Sequence, residues 1–85
     1  MTQNIYTKSK EYDRKEIQRG IVSFMREKGN EVSNEEVSDF IFNKWGIRFG
    51  QISHVMNRLR EDDARVIRSE RLGYSKLIPE AMADN

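Results

Sequence analysis

Apolar residues between Val37 and Leu59 recur at helical spacing on both sides of a short break, Gly46-Ile47-Arg48-Phe49-Gly50. Before the break, Val37, Phe40 and Ile41 line one side of a segment, with Trp45 near its end; after it, Ile52, Val55, Met56 and Leu59 do the same. Such spacing marks helices that each bury one face. The first of these two helices has a sharp start. Ser33 stands as N-cap with Glu36 three residues on, a capping box in which side chains and backbone amides satisfy each other reciprocally. Gly46 ends it, and the short connection predicts that Ile47 and Phe49 face inward. The next helix begins near Gly50 or Gln51 and continues to about Asp62.

An earlier helix is expected over 13–28, with Asp13 as N-cap. Ile17, Ile21, Phe24 and Met25 form its apolar stripe, and Gly29-Asn30 supplies the stop. Residues 1–12 show no apolar period and read as a flexible arm. After Asp62 the period changes. Val66 and Ile67, then Tyr74, Leu77 and Ile78, suit two short antiparallel strands around a Ser69-Glu70-Arg71-Leu72-Gly73 turn. Pro79 is expected to end the second strand, and 80–85 to form a loose tail. Eighty-five residues suffice for one small domain, here 13–79.

The formal net charge is only +1, but it is unevenly distributed. Residues 1–47 balance eight basic against eight acidic side chains, whereas 48–76 hold seven basic against four acidic, a surplus of +3. Six of those seven are Arg, the side chain shaped for bidentate contact with phosphate or guanine. With no Cys there is neither a disulfide nor a thiolate metal site. His54 is the only His and lacks a ligand set for zinc, so no metal or other cofactor is expected. No apolar run approaches the roughly 20 residues of a membrane helix. The N-terminus has no apolar segment that could serve as a secretion signal, so the expected location is the cytoplasm, with no membrane partner.

Helix, capped helix, tight Gly-bounded turn, helix, then hairpin: this order over about 13–79 resembles the winged helix-turn-helix family of small bacterial or phage-type regulators. The resemblance implies a mainly α fold with a small β-hairpin (α+β). It also implies a third helix that enters the DNA major groove, and a hairpin, or wing, that lies on the backbone or in the minor groove. Gly46 to Asp62 is similar to the family's turn and recognition helix, and Ala64 to Pro79 to its wing. The family often places a Gly between the two, where this chain has Arg60-Glu61-Asp62-Asp63-Ala64-Arg65-Val66.

Steps of about 100° per residue put Gln51, His54, Asn57 and Arg58 opposite the apolar arc of the third helix, with Ser53 and Arg60 on a flank. Asn and Gln can pair bidentately with adenine and Arg with guanine. Gln51, His54 and Asn57 are therefore the first-choice base readers, and Arg58 a guanine reader or phosphate clamp. Polar residues opposite a core stripe also occur on any amphipathic helix; the short turn, the hairpin and the local positive charge favour the DNA reading. Glu61 opposes it, since a carboxylate near phosphates is unfavourable. Arg48 belongs to the basic segment, and Arg68, Arg71 and Lys76 give the wing its cations, with Arg71 at the tip as its best contact. Arg65 is a weaker candidate. The bland use of these bases is to keep an edge strand from aggregating. Lys8 and Lys10 could add backbone contacts from the arm.

The expected function is therefore sequence-specific double-stranded DNA binding by a transcriptional regulator that acts by occupying a site. So small a contact calls for two copies, a homodimer, or a partner protein. Ile5, Tyr6 or Ala81-Met82 are candidate dimer contacts. The alternative is a winged-helix protein-interaction module that does not bind DNA. Enzymatic activity is not expected: no nucleophile–base pair or shaped pocket is evident, and the 46–50 turn lacks the Lys and spacing of a P-loop. Trp45 reads as a core plug rather than a stacking platform.

Overall fold

Asp13 opens the first helix by accepting the Lys15 backbone N–H on its carboxylate at 2.9 Å. In the computed structural model, which describes residues 13–83, this helix, α1, spans Arg14–Lys28 and ends on Gly29. It buries Ile17, Ile21, Val22 and Met25, while Phe24 packs at the core's margin. The 1–12 arm, with Ile5, Tyr6, Lys8 and Lys10, lies outside the described residues.

A two-residue strand that the sequence does not announce, β1 (Val32–Ser33), follows α1. Its second residue is also the cap of α2 (Asn34–Trp45). Both halves of the capping box form: Glu36 N–H donates to Ser33 Oγ at 3.0 Å, and Ser33 N–H donates to Glu36 Oε1 at 2.9 Å. The second oxygen of Glu36 takes Lys28 Nζ at 3.0 Å, tying the end of α1 to the start of α2. At the other end Gly46 adopts φ 73° and sends its N–H to the Phe42 carbonyl. A side chain there would be strained, so the position suits Gly. Ile47 and Phe49 do turn inward across the connection and pack on the core's edge.

Helix α3 (Ile52–Asp62) begins one residue after Gln51, which offers no side-chain cap. It buries Met56 and Leu59 and half-buries Ile52 and Val55. Where a Gly could have turned the chain, Asp63 does so. Its carboxylate accepts the Arg65 backbone N–H at 3.0 Å and the Arg65 guanidinium at 2.7 Å.

Strands β2 (Val66–Arg68) and β3 (Tyr74–Leu77) form the expected antiparallel hairpin, with Val66 opposite Leu77 and Arg68 opposite Ser75. β1 adds to the other edge of β3, with Val32 opposite Ser75, so the sheet order is β1-β3-β2. The architecture is thus α+β: four described helices and one small antiparallel sheet. Val32, Val66 and Leu77 meet the buried faces of the helices.

The chain beyond β3 departs from expectation. Pro79 does not merely stop a strand; it starts a short helix, α4 (Pro79–Ala83), as suits a residue whose φ is preset and whose missing N–H is not needed in a first turn. Ala81 is buried, and its carbonyl accepts Arg26 Nε at 3.3 Å. Residues 80–83 are therefore helix rather than loose tail, with Ala81 seated in the core. No helix among the described residues is long and apolar enough to cross a membrane.

Candidate nucleic-acid interface

Gln51, Ser53, His54, Asn57 and Arg58 are all exposed, as the apolar period of α3 requires once Met56 and Leu59 are buried. They do not form one surface. Ser53 and Asn57 face a cleft between α3 and the hairpin, of about 290 Å³. Arg60, Arg68, Leu72, Gly73, Tyr74 and the α2 residue Asn34 complete its lining. His54 and Arg58 border a smaller hollow of about 180 Å³ on the other side, with Arg14, Ile17, Gln18, Phe49 and Val55. The α3 crest thus separates two depressions.

The basic segment is largely neutralised within the molecule. Arg48 donates to Asp39 and Ser38, each at 3.1 Å, and lies 4.4 Å over the Phe42 ring, so it is engaged with α2. Arg58 pairs with Asp62 at 3.6 Å, Arg65 with Asp63 at 2.7 Å, and Lys76 with Glu70 at 3.6 Å. A hydrogen bond from Gln18, more than the charge of Arg58, holds the Asp62 carboxyl below its ordinary pKa.

Arg71 is not a free tip. Its guanidinium donates to Glu31 at 2.8 Å and to the Tyr74 hydroxyl at 3.0 Å, and stacks 4.0 Å from the Tyr74 ring centroid. Glu31 also accepts Ser69 Oγ. That bond first, and Arg71 next, keep the Glu31 carboxyl below its usual pKa. The residue that projects from the turn is Leu72, 96% exposed. The place of the turn was readable in the sequence; which side chain folds back was not, because Glu31 comes from the segment between α1 and β1, far away in sequence.

Two of the seven cations differ. Among the described residues, neither Arg60 nor Arg68 has a carboxylate partner, and both line the α3–hairpin cleft. Arg60 donates to the buried Ser75 hydroxyl at 2.8 Å and to Asn57 Oδ1. Burial first, and the neighbouring Arg68 charge second, pull the Arg60 guanidinium below its ordinary pKa. Sequence reasoning set Arg60 on a flank, gave Asn34 no role at the site and read Tyr74 only as a strand residue. The helical wheel carried a signal for the first, whereas nothing local pointed to the other two. Among the described residues no group of three or more His, Cys, Asp or Glu side chains could hold a metal.

Comparison of the chain with protein families, with curated proteins and with solved structures found no match.

Proposed function

We propose that the chain is a winged helix-turn-helix protein that binds double-stranded DNA sequence-specifically and regulates transcription. In this reading α2, the 46–50 turn and α3 are the helix-turn-helix, α3 lies in the major groove, and the β2–β3 hairpin is the wing on the backbone. The observation that carries it is the exposed Ser53 and Asn57 flank of α3 beside the hairpin, in a cleft that also holds Arg60 and Arg68, the two cations of the segment without a carboxylate partner among the described residues. A helix of this width fits the groove, where amide and guanidinium groups distinguish base edges. The order of three helices followed by a hairpin supports this reading; β1 and α4 are additions to the expected plan.

Binding to mixed genomic fragments at two salt concentrations tests the reading. Wild-type protein should bind more weakly as salt rises. Asn57→Ala should relax sequence preference by about 1–3 kcal/mol at one position. Arg58→Ala should weaken binding across sequences. No retention of DNA at any salt would overturn the proposal.

A second reading is a protein-docking module. It is favoured by the exposure of Leu72 and of Phe42, at 96% and 44%, and by the internal pairing of five of the seven cations of the basic segment. It predicts no DNA retention near physiological salt and copurification with a specific protein.

A further inference from the structure

The α3–hairpin cleft contains no carboxylate, although acidic side chains pair with every other cation of the 48–76 segment. Two guanidiniums lie together in it. Arg60 reaches in from the last turn of α3, half-buried and fixed by Ser75 and Asn57; Arg68 stands on β2 with no hydrogen-bond or ion-pair partner among the described residues. Like charges side by side repel unless an anion bridges them. Asn34 and Ser53 add neutral hydrogen-bonding groups from α2 and α3, so donors approach the same volume from three elements.

We infer that this cleft is a phosphate-binding site, with Arg60 and Arg68 as its cations and Ser53 and Asn34 as its neutral partners. A tetrahedral phosphate offers oxygens in several directions, which suits donors converging from a helix and a strand better than a flat carboxylate does. A site beside the α3 face would meet the strand that borders an occupied major groove, so the phosphate is a backbone diester. The assignment of that source rests on the duplex reading; the anion site itself does not. Arg60 is already preorganised, since two hydrogen bonds hold it in place before a ligand arrives.

The test is a titration of the full chain with inorganic phosphate, dimethyl phosphate and acetate, at ionic strength held constant with chloride. It is followed by the NMR signals of the arginine Nε–H groups and of the Ser53 and Asn57 amides. Both phosphates should give saturable shifts confined to the cleft, while acetate gives weaker ones. Arg68→Gln removes an exposed, unpartnered cation, leaves the fold intact, and should weaken phosphate binding at least about fivefold. Arg19→Gln, an equal loss of charge on the exposed side of α1, should not change it. Non-saturating shifts, equal shifts with acetate, or equal losses in the two variants would overturn the inference. With a duplex, Arg68→Gln should reduce the slope of log affinity against log salt by about 1. Duplex retention with an unchanged slope and no phosphate response sinks the cleft and leaves the DNA reading standing. Saturable phosphate binding without duplex retention does the reverse.

Discussion

Gly20 lies on the face of α1 that receives Trp45. A Cβ at this position would come within 2.5 Å of the Trp45 ring tip. That ring has little room to retreat: it stands edge-on to Phe40 at 5.8 Å, and its indole N–H donates to Glu16. Two effects of Gly20→Ala therefore oppose. Removing Gly from a helix interior favours folding by about 1 kcal/mol, whereas overpacking typically costs about 1–3 kcal/mol. The clash is with a packed aromatic ring, so the net expectation is a loss of about 1 kcal/mol in urea unfolding. In a Trp45→Phe background the clashing atom is gone, and the same substitution should become neutral or stabilising. Stabilisation in both backgrounds would show that Trp45 swings aside at little cost. Trp45 was legible as a plug from its place at the end of an apolar stripe. Its seat on Gly20 was not, because a glycine within a helical pattern does not say what lies over it.

The junction of α1, β1 and α2 hangs on Glu36, and its energetics depend on acid. The Ser33 backbone N–H first, and Lys28 second, depress the Glu36 pKa below its ordinary 4.5. A carboxylate depressed by folding stabilises the folded state fully above the unfolded value, and that contribution is lost as pH falls through the folded value. The melting temperature should thus decline as pH drops below about 4.5, with Glu31, Asp62 and Asp63, lowered likewise, adding to the decline. Glu36→Gln should lower the melting temperature at neutral pH and make its acid decline shallower; a decline parallel to that of the wild type would exclude this role. The capping box could be read from Ser33 and Glu36 because its partners are three residues apart. β1 could not: two residues carry no alternation, and their pairing with β3 is decided only when the hairpin folds back. The same distance hides α4, where the Ala81 carbonyl meets Arg26 of α1.

Across the whole molecule, the linear charge pattern and the folded charge pattern tell different stories. Counting along the chain locates the +3 segment; three of its seven cations pair with acids of the same segment, Asp62, Asp63 and Glu70, and the fold brings Asp39 and Glu31 to two more. What was legible of the candidate site is therefore the exposed face of α3, which follows from its apolar period; the engagement of Arg48 and Arg71 was not, because Asp39 and Glu31 come from other elements. A duplex approaching the hairpin would meet Arg71 already held by Glu31, and that carboxylate would repel the phosphate backbone. Removing the negative charge while keeping the side chain's shape should therefore improve binding. Glu31→Gln is expected to tighten duplex affinity about two- to fivefold at low salt, the scale of one exposed ion-pair interaction. It should also steepen the salt dependence by up to about one unit, as one more cation becomes free to displace counterions. Arg71→Ala in the Glu31→Gln background should abolish that gain. If Glu31→Gln instead weakens binding, Glu31 serves to hold Arg71 in its binding position, and the ion pair is part of the interface rather than a competitor for it.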